Sequence, residues 1–331
     1  MLLRLFKGTN PGVIFLITLT MGITWVSAFM YPQNPPQAAY ETNPMVLYAI
    51  LKQITGSNLT SGVIFSLISL TVMLFLIVGF NTSVFFINER TFLPALFYIL
   101  FSAMFPQQQV MNPVLPASVF LMIALMRIMS AYRKKGTAFN FFDAGMLISI
   151  ASMFYANIIW FGLLMIVGIV LLRTGNIKEI SISVLGLLTP YLLLSGLYYV
   201  LGIDIGTFLA DLNYNLFGRT PGYSFSRLIL AVIALTGIII LVSIVFLMMR
   251  INTKKIKSRK TFYLLLWTLF ISLVLYLVLP SVSVEMIWIT GIPASFLVAH
   301  YFVFVRKKII PEILFSGIFI LVILIQVFYI F

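Results

Sequence analysis

The stretch from Asp143 to Leu172, DAGMLISIASMFYANIIWFGLLMIVGIVLL, constrains this chain more than any other. It is about thirty residues long and almost wholly apolar. A bilayer core of about 30 Å needs about 20 helical residues, so the stretch is long for one upright helix and short for two. Its flanks are basic: Arg133, Lys134 and Lys135 before it, Arg173 and Lys178 after it. Short loops rich in Lys and Arg stay on the cytoplasmic side. Two cytoplasmic flanks require a chain that goes out and comes back. The expectation is two short helices, 143–156 and 158–172, turning near Tyr155 and Asn157. One long tilted helix is the alternative. It would put the basic clusters 250–260 and 306–308 outside.

The rest of the chain agrees with a membrane setting. It is 62% hydrophobic and 9% charged, against about 25% charged in soluble domains. Continuous apolar blocks exclude the alternating ten-residue segments of a β-barrel. The expected fold class is all-α: a multi-pass inner-membrane protein with about eleven transmembrane helices, N-terminus cytoplasmic and C-terminus external. Residues 1–331 form one transmembrane domain, with external loops 31–60 and 202–226. The expected spans are 11–30, 61–86, 91–105, 115–131, the pair above, 183–201, 227–249, 261–279, 284–305 and 311–330. The first is read as a span and not a cleaved signal peptide. Within the first loop, residues 44–54 have the pattern of a short amphipathic helix. Pro94, Pro190 and Pro293 lie in or near spans and can bend them.

The net charge of +13 resembles a nucleic-acid signal. Eighteen of the twenty-one Lys and Arg fall in or beside the expected cytoplasmic loops, so the charge reports orientation and attraction to anionic headgroups, and no nucleic-acid partner is expected. With no cysteine and one histidine, neither thiolate chemistry nor a His-based metal site is expected. No motif names a cofactor.

Candidate chemistry lies in the external loops. Glu41, Asp204 and Asp211 are candidate catalytic acids or bases. Arg219 and Arg227 are candidate phosphate holders, because a guanidinium is a fork of donors. Gln107, Gln108, Gln109 and Glu285 fall at the same level. Such a set suits a polyprenyl-phosphate-linked sugar, with its tail in the bilayer and its head at the surface. The plain alternative is a set of solvated loop charges. Asp143 is expected to cap a helix or pair with Lys134 or Lys135. His300 is expected to pack near the cytoplasmic end of its span. Asn157 and Trp160 mark a short outer turn, and Tyr191, Tyr198 and Tyr199 an outer aromatic belt.

The run NERTFLPALFYILFSAMFP, with MNPVLPASVF and YRKKGTAFNFFDAGMLISIASMFY, resembles an uncharacterised family of polytopic inner-membrane proteins of Bacteroidota. Members are sometimes labelled β-carotene oxygenases, which use a four-histidine iron site; His300 stands alone here. A looser likeness is to polyprenol-dependent membrane glycosyltransferases and polysaccharide polymerases, with Glu41 where their loop acid is expected. Three readings follow. The first is an accessory or scaffold subunit of a cell-envelope assembly with a degenerate glycosyltransferase-like fold, partnered by another envelope protein. The second is a glycosyltransferase or polymerase acting on polyprenyl-phosphate-linked sugars. The third is a transporter of lipids or lipid-linked glycans. All three take membrane lipid as a partner.

Overall fold

The computed structural model describes residues 2–32, 38–56, 58–84, 87, 91–133, 138–172, 177–220, 223, 225–305 and 309–330. Among them every regular element is helical. In chain order these are α1 (Leu2–Phe6), α2 (Pro11–Met30), α3 (Ala39–Thr42), α4 (Val46–Thr55), α5 (Leu59–Val84), α6 (Leu93–Ser102), α7 (Val114–Ser130), α8 (Ala138–Ser152), α9 (Leu163–Leu172), α10 (Ile177–Leu201), α11 (Ile205–Phe217), α12 (Arg227–Arg250), α13 (Ile256–Val278), α14 (Ile287–Phe304) and α15 (Ile309–Ile330). Four short 3-10 turns complete the set. Seven of these helices, α2, α5, α10, α12, α13, α14 and α15, are long and apolar enough to cross a membrane. The protein is a polytopic membrane protein. The remaining expected spans are shorter apolar helices: α6, α7, α8 and the segment ending in α9.

The core is built around two elements. All ten residues of α6 are buried, and so is nearly all of α14 from Trp288 to Val303. They lock together where the Tyr98 hydroxyl donates to the Trp288 carbonyl at 2.9 Å. Phe97 packs on Phe302 with ring centroids 5.1 Å apart, and Phe80 on Phe296 at 5.6 Å. Helices α10 and α12 instead expose large apolar side chains, including Leu192, Leu193, Leu241 and Val245. A soluble surface would not carry such a belt, and hydrocarbon accepts it without cost.

The stretch 143–172 is interrupted as its length demands. Helix α8 stops at Ser152, Tyr155 is extended (φ −134°, ψ 104°), and a 3-10 turn over Ala156–Gly162 leads into α9. The two arms run antiparallel. A side chain at Gly145 would meet Met165 at 3.1 Å, and one at Gly168 would meet Phe141 at 3.6 Å. Glycine is needed where α8 crosses α10. A Cβ at Gly145 would sit 2.5 Å from the Ser183 carbonyl, and one at Gly186 only 2.3 Å from the Phe142 carbonyl. The two backbones touch, the close approach that small residues permit in membranes.

The segment between α6 and α7 is also a turn, and it is recessed. The Gln109 side chain donates to the Thr24 carbonyl at 2.9 Å, Ser66 donates to the Val110 carbonyl at 2.9 Å, and Gln326 donates to the Ala103 carbonyl at 2.7 Å. Thr24, Ser66 and Gln326 lie four to seven residues inside the ends of α2, α5 and α15. At 1.5 Å per residue the turn is about 6–10 Å below those ends. Irregular backbone at that depth survives only when protein groups satisfy it. The Asn112 carboxamide oxygen does so for α7, accepting from Val114 N and Leu115 N at 3.1 Å each.

Several local expectations change. Helix α10 begins at Ile177, earlier than the expected span at 183, and takes in Lys178 and Glu179. The loop 202–226 contains a thirteen-residue helix, α11, that charge and loop composition concealed. Asp143 lies inside α8 and faces Arg127 of α7 at 3.9 Å; Lys134 and Lys135, its expected partners, lie outside the described residues, as do Glu89, Arg90, Arg173 and 306–308. His300 packs among Phe246, Phe262 and Phe304, with ring centroids 4.9–6.0 Å away.

The largest correction concerns function. Among the described residues there is no strand, so the sheet of a Rossmann-like glycosyltransferase fold is absent. The glycosyltransferase-like scaffold, and the glycosyltransferase and lipid-linked glycan transporter offered beside it, are not sustained.

Gly186→Ala is expected to lower thermal stability by about 1–3 kcal/mol, the usual range for overpacking, because backbone atoms of Phe142 must move. Gly79→Ala, with nothing within 4 Å of the new methyl, is the control and should be near neutral. Thermal unfolding of both variants in detergent checks this.

Candidate functional site

One end of the bundle carries a polar layer under a roof of short helices. Helix α4 forms much of the roof, close to the amphipathic segment expected at 44–54. It buries Tyr48 and leaves Ile50 and Ile54 exposed. Leu47 N donates to the Met153 carbonyl at 3.1 Å, which ties α4 to the end of α8. Helix α11 forms the other part. Asn215 donates to the Asn43 carbonyl at 2.6 Å. Beneath it Asn157 donates to the Asn215 carbonyl at 3.2 Å and to the Ser281 hydroxyl at 3.2 Å. Ser281 in turn donates to the Leu216 carbonyl at 2.7 Å. Four distant parts of the chain are thereby closed into one layer.

The chemistry of this layer centres on Glu285. It sits in the 3-10 turn Val284–Met286 that leads into α14 and is 1% exposed. Its Oε1 accepts from the Tyr155 hydroxyl at 3.1 Å and from Ser283 N at 2.9 Å. No cation pairs with it among the described residues. An ionised carboxylate out of water and without a cation is costly. The group therefore carries a proton or recruits a positive charge.

A ladder of tyrosines joins Glu285 to the surface. The Tyr40 ring lies edge-on to Tyr155 and to Tyr48, with centroids 6.2 Å apart in each case. Tyr48 donates a very short hydrogen bond to Glu41 Oε1. Lys52 reaches Glu41 Oε2 at 2.7 Å. The Lys52 side chain is the most open member, at 38% exposed. The Tyr40 hydroxyl is buried and has no partner. Burial first, then the charge of Glu285, then Tyr48, Glu41 and Tyr155, push the Tyr40 pKa well above the ordinary phenol. Burial and the Glu41 carboxylate push Tyr48 the same way. Both phenols stay protonated; Tyr48 donates to Glu41, and the Tyr40 hydroxyl is free to donate. The cluster holds two carboxyls and one ammonium, so at full ionisation it carries one uncompensated negative charge.

Glu41 is the one expected acid that joins this cluster. Asp204 is exposed and caps α11, accepting from Gly206 N at 2.9 Å. Asp211 is half-buried on α11, where its backbone carbonyl accepts from Asn215 at 2.9 Å. Arg219 and Arg227 are exposed and form no ion pair among the described residues. No three His, Asp or Glu side chains gather as a metal site among the described residues. Sequence reading placed Glu285 at this level but did not single it out, and missed Tyr40 and Tyr155. The only local signals were Tyr40 beside Glu41 and Tyr155 beside Asn157.

Residues 44–331 match the DUF6427 family, a family of unknown function, and the chain belongs to it. No curated protein and no solved structure matches it.

Tyr155→Phe deletes the hydroxyl that Glu285 accepts from. It should lower thermal stability by about 1–2 kcal/mol, as loss of a hydrogen bond to a buried polar group does. Tyr199→Phe, at an exposed position, should leave it unchanged in the same melting assay.

Proposed function

We propose that this chain is a proton-responsive protein of a bacterial inner membrane, in which Glu285 gains and loses a proton at the external end of the bundle. The observation that carries the reading is a fully buried carboxyl bonded to a tyrosine hydroxyl and a backbone N–H, with no cation beside it. An ionisable group in such a place is functional by default.

The orientation comes from charge. Among the described residues, Arg4, Lys7, Arg127, Arg133, Lys178, Arg250, Lys254, Lys255, Lys257, Arg259 and Lys260 lie toward the end opposite α4 and α11, and Lys52, Arg219 and Arg227 toward the roofed end. By the positive-inside rule the roofed end faces outward. With α6–α7 and α8–α9 taken as two hairpins, the seven long helices become eleven spans, N-terminus in and C-terminus out.

Within this reading each member of the ladder has a role. The Glu41–Lys52 pair is the aqueous entrance. Tyr48 and Tyr155 each hold one of the two carboxyls by a hydroxyl, and the Tyr40 ring packs edge-on between them. Glu285 is the acceptor. Its proton changes the grip of Tyr155, because a hydroxyl bonds a carboxylate about twice as strongly as a neutral carboxyl. Tyr155 belongs to the interrupted segment between α8 and α9, and Glu285 leads into α14. Protonation is thus coupled to the contact between the hairpin and the core helix.

Infrared difference spectroscopy across a pH titration tests this. The wild-type protein should show a carboxylic C=O band that titrates and is lost in Glu285→Gln. Tyr155→Phe should keep the band and shift its midpoint, whereas Asp204→Asn should leave it in place. Identical difference spectra for wild type and a folded Glu285→Gln protein would overturn the reading.

A further inference from the structure

A second polar feature lies away from the tyrosine ladder. Between the start of α12, the end of α15 and the recessed turn there is a pocket of about 490 Å³. Its floor and walls include Gln107, Tyr223, Ser226, Ile229, Phe328 and Tyr329. Tyr329 is one residue from the end of α15, and Ser226 caps α12 by accepting from Ile229 N at 3.3 Å. Ile325, also in the lining, lies about 6 Å further down α15 at the helical rise of 1.5 Å per residue. Ser226 and Tyr329 therefore stand at the level where helices end, while Ile229 and Ile325 stand below them.

Three observations indicate what this pocket takes. The Tyr329 hydroxyl is shielded from water and has no partner, so it has a hydrogen bond to give. The rim includes Phe328, 65% exposed, and Tyr223 and Phe225, whose ring centroids are 5.0 Å apart and which pack on the buried Phe105. Such surface belongs against hydrocarbon. Arg227 follows Ser226 directly, is exposed, and forms no ion pair among the described residues.

We propose that this pocket binds a membrane phospholipid. Arg227 holds the phosphate, the Tyr329 hydroxyl donates to the headgroup or glycerol oxygens, and one acyl chain passes the rim at Phe328 and descends along Ile229 and Ile325. Depth and chemistry match. A guanidinium at the helix start meets the phosphate layer, and the apolar stripe beneath it meets the chains. The proposal stands apart from the proton reading, since none of its residues belongs to the tyrosine ladder.

Photolabelling in phosphatidylcholine nanodiscs tests it. Two probes carry the same diazirine acyl chain: phosphatidic acid, and diacylglycerol, which lacks the phosphate. Phosphatidic acid should crosslink to peptides containing 225–229 and 325–329 about fivefold more than diacylglycerol does, the preference that one basic residue near the surface supports. Arg227→Gln should abolish that preference. Ile229→Trp, which fills the pocket, should reduce labelling of both peptides by either probe, while labelling of exposed Leu192 and Leu193 on α10 stays constant. Equal labelling by the two probes in the wild type, or a preference that persists in Arg227→Gln, would overturn the proposal. Because Arg227 is exposed, that variant is expected to fold even where Ile229→Trp does not.

Discussion

Backbone polar groups that enter hydrocarbon must find partners inside the protein, and the rest of this fold follows from how that is met at the turn between α6 and α7. Helix α6 ends after ten residues. Its C-terminal carbonyls and the eleven residues before α7 would otherwise be orphaned well below the surface. Side chains from two long helices reach in to bind them, Ser66 through its hydroxyl and Gln326 through its amide, and the turn's own Gln109 side chain reaches out to the Thr24 backbone carbonyl of a third. That requirement explains polar residues in helices otherwise made of Ile, Leu, Val and Phe. It also explains why α6 and α14 are central. A short helix with a polar turn must be wrapped on every side, and only the long helices can wrap it.

The same logic divides what could be read from the sequence from what could not. Period and length are local properties, so the interruption near Tyr155 and the amphipathic helix ending at Thr55 were legible. Helix α11 was not, because Asp204, Asp211, Asn213 and Asn215 give the loop a polar look that hides Phe208 and Leu212 packing beneath it. Of the charged loop residues, Asp204 caps α11, and Arg219 and Arg227 are exposed without an ion pair among the described residues. Glu285 was visible only as a charge at a span entrance. Its partner Tyr155 is 130 residues away, and Tyr40 is further still. Convergence across that distance is a tertiary property and leaves no periodic trace.

Aromatic hydroxyls are a suitable material for the interior of this layer. A phenol gives a flat apolar body to the core and one polar tip to a partner. Three of them link Glu41 to Glu285 without adding charge to the protein interior. Lys52 neutralises the outer carboxylate, where water still helps. The inner carboxyl is left to a proton, the smallest counter-charge available. Arranged in this way the layer tolerates two acids at depth with one basic residue.

The recessed turn also decides how this protein feels its bilayer. The short helix α6 meets no lipid, so its length is under no pressure to match membrane thickness. Only the outer helices carry that pressure, and they adapt by tilting. A tilt of α2 or α15 moves Thr24 or Gln326, which hold Gln109 and Ala103 of the turn directly. The recessed turn is thus tied to two lipid-facing helices by two side-chain hydrogen bonds, and any tilt of those helices has to be accommodated there.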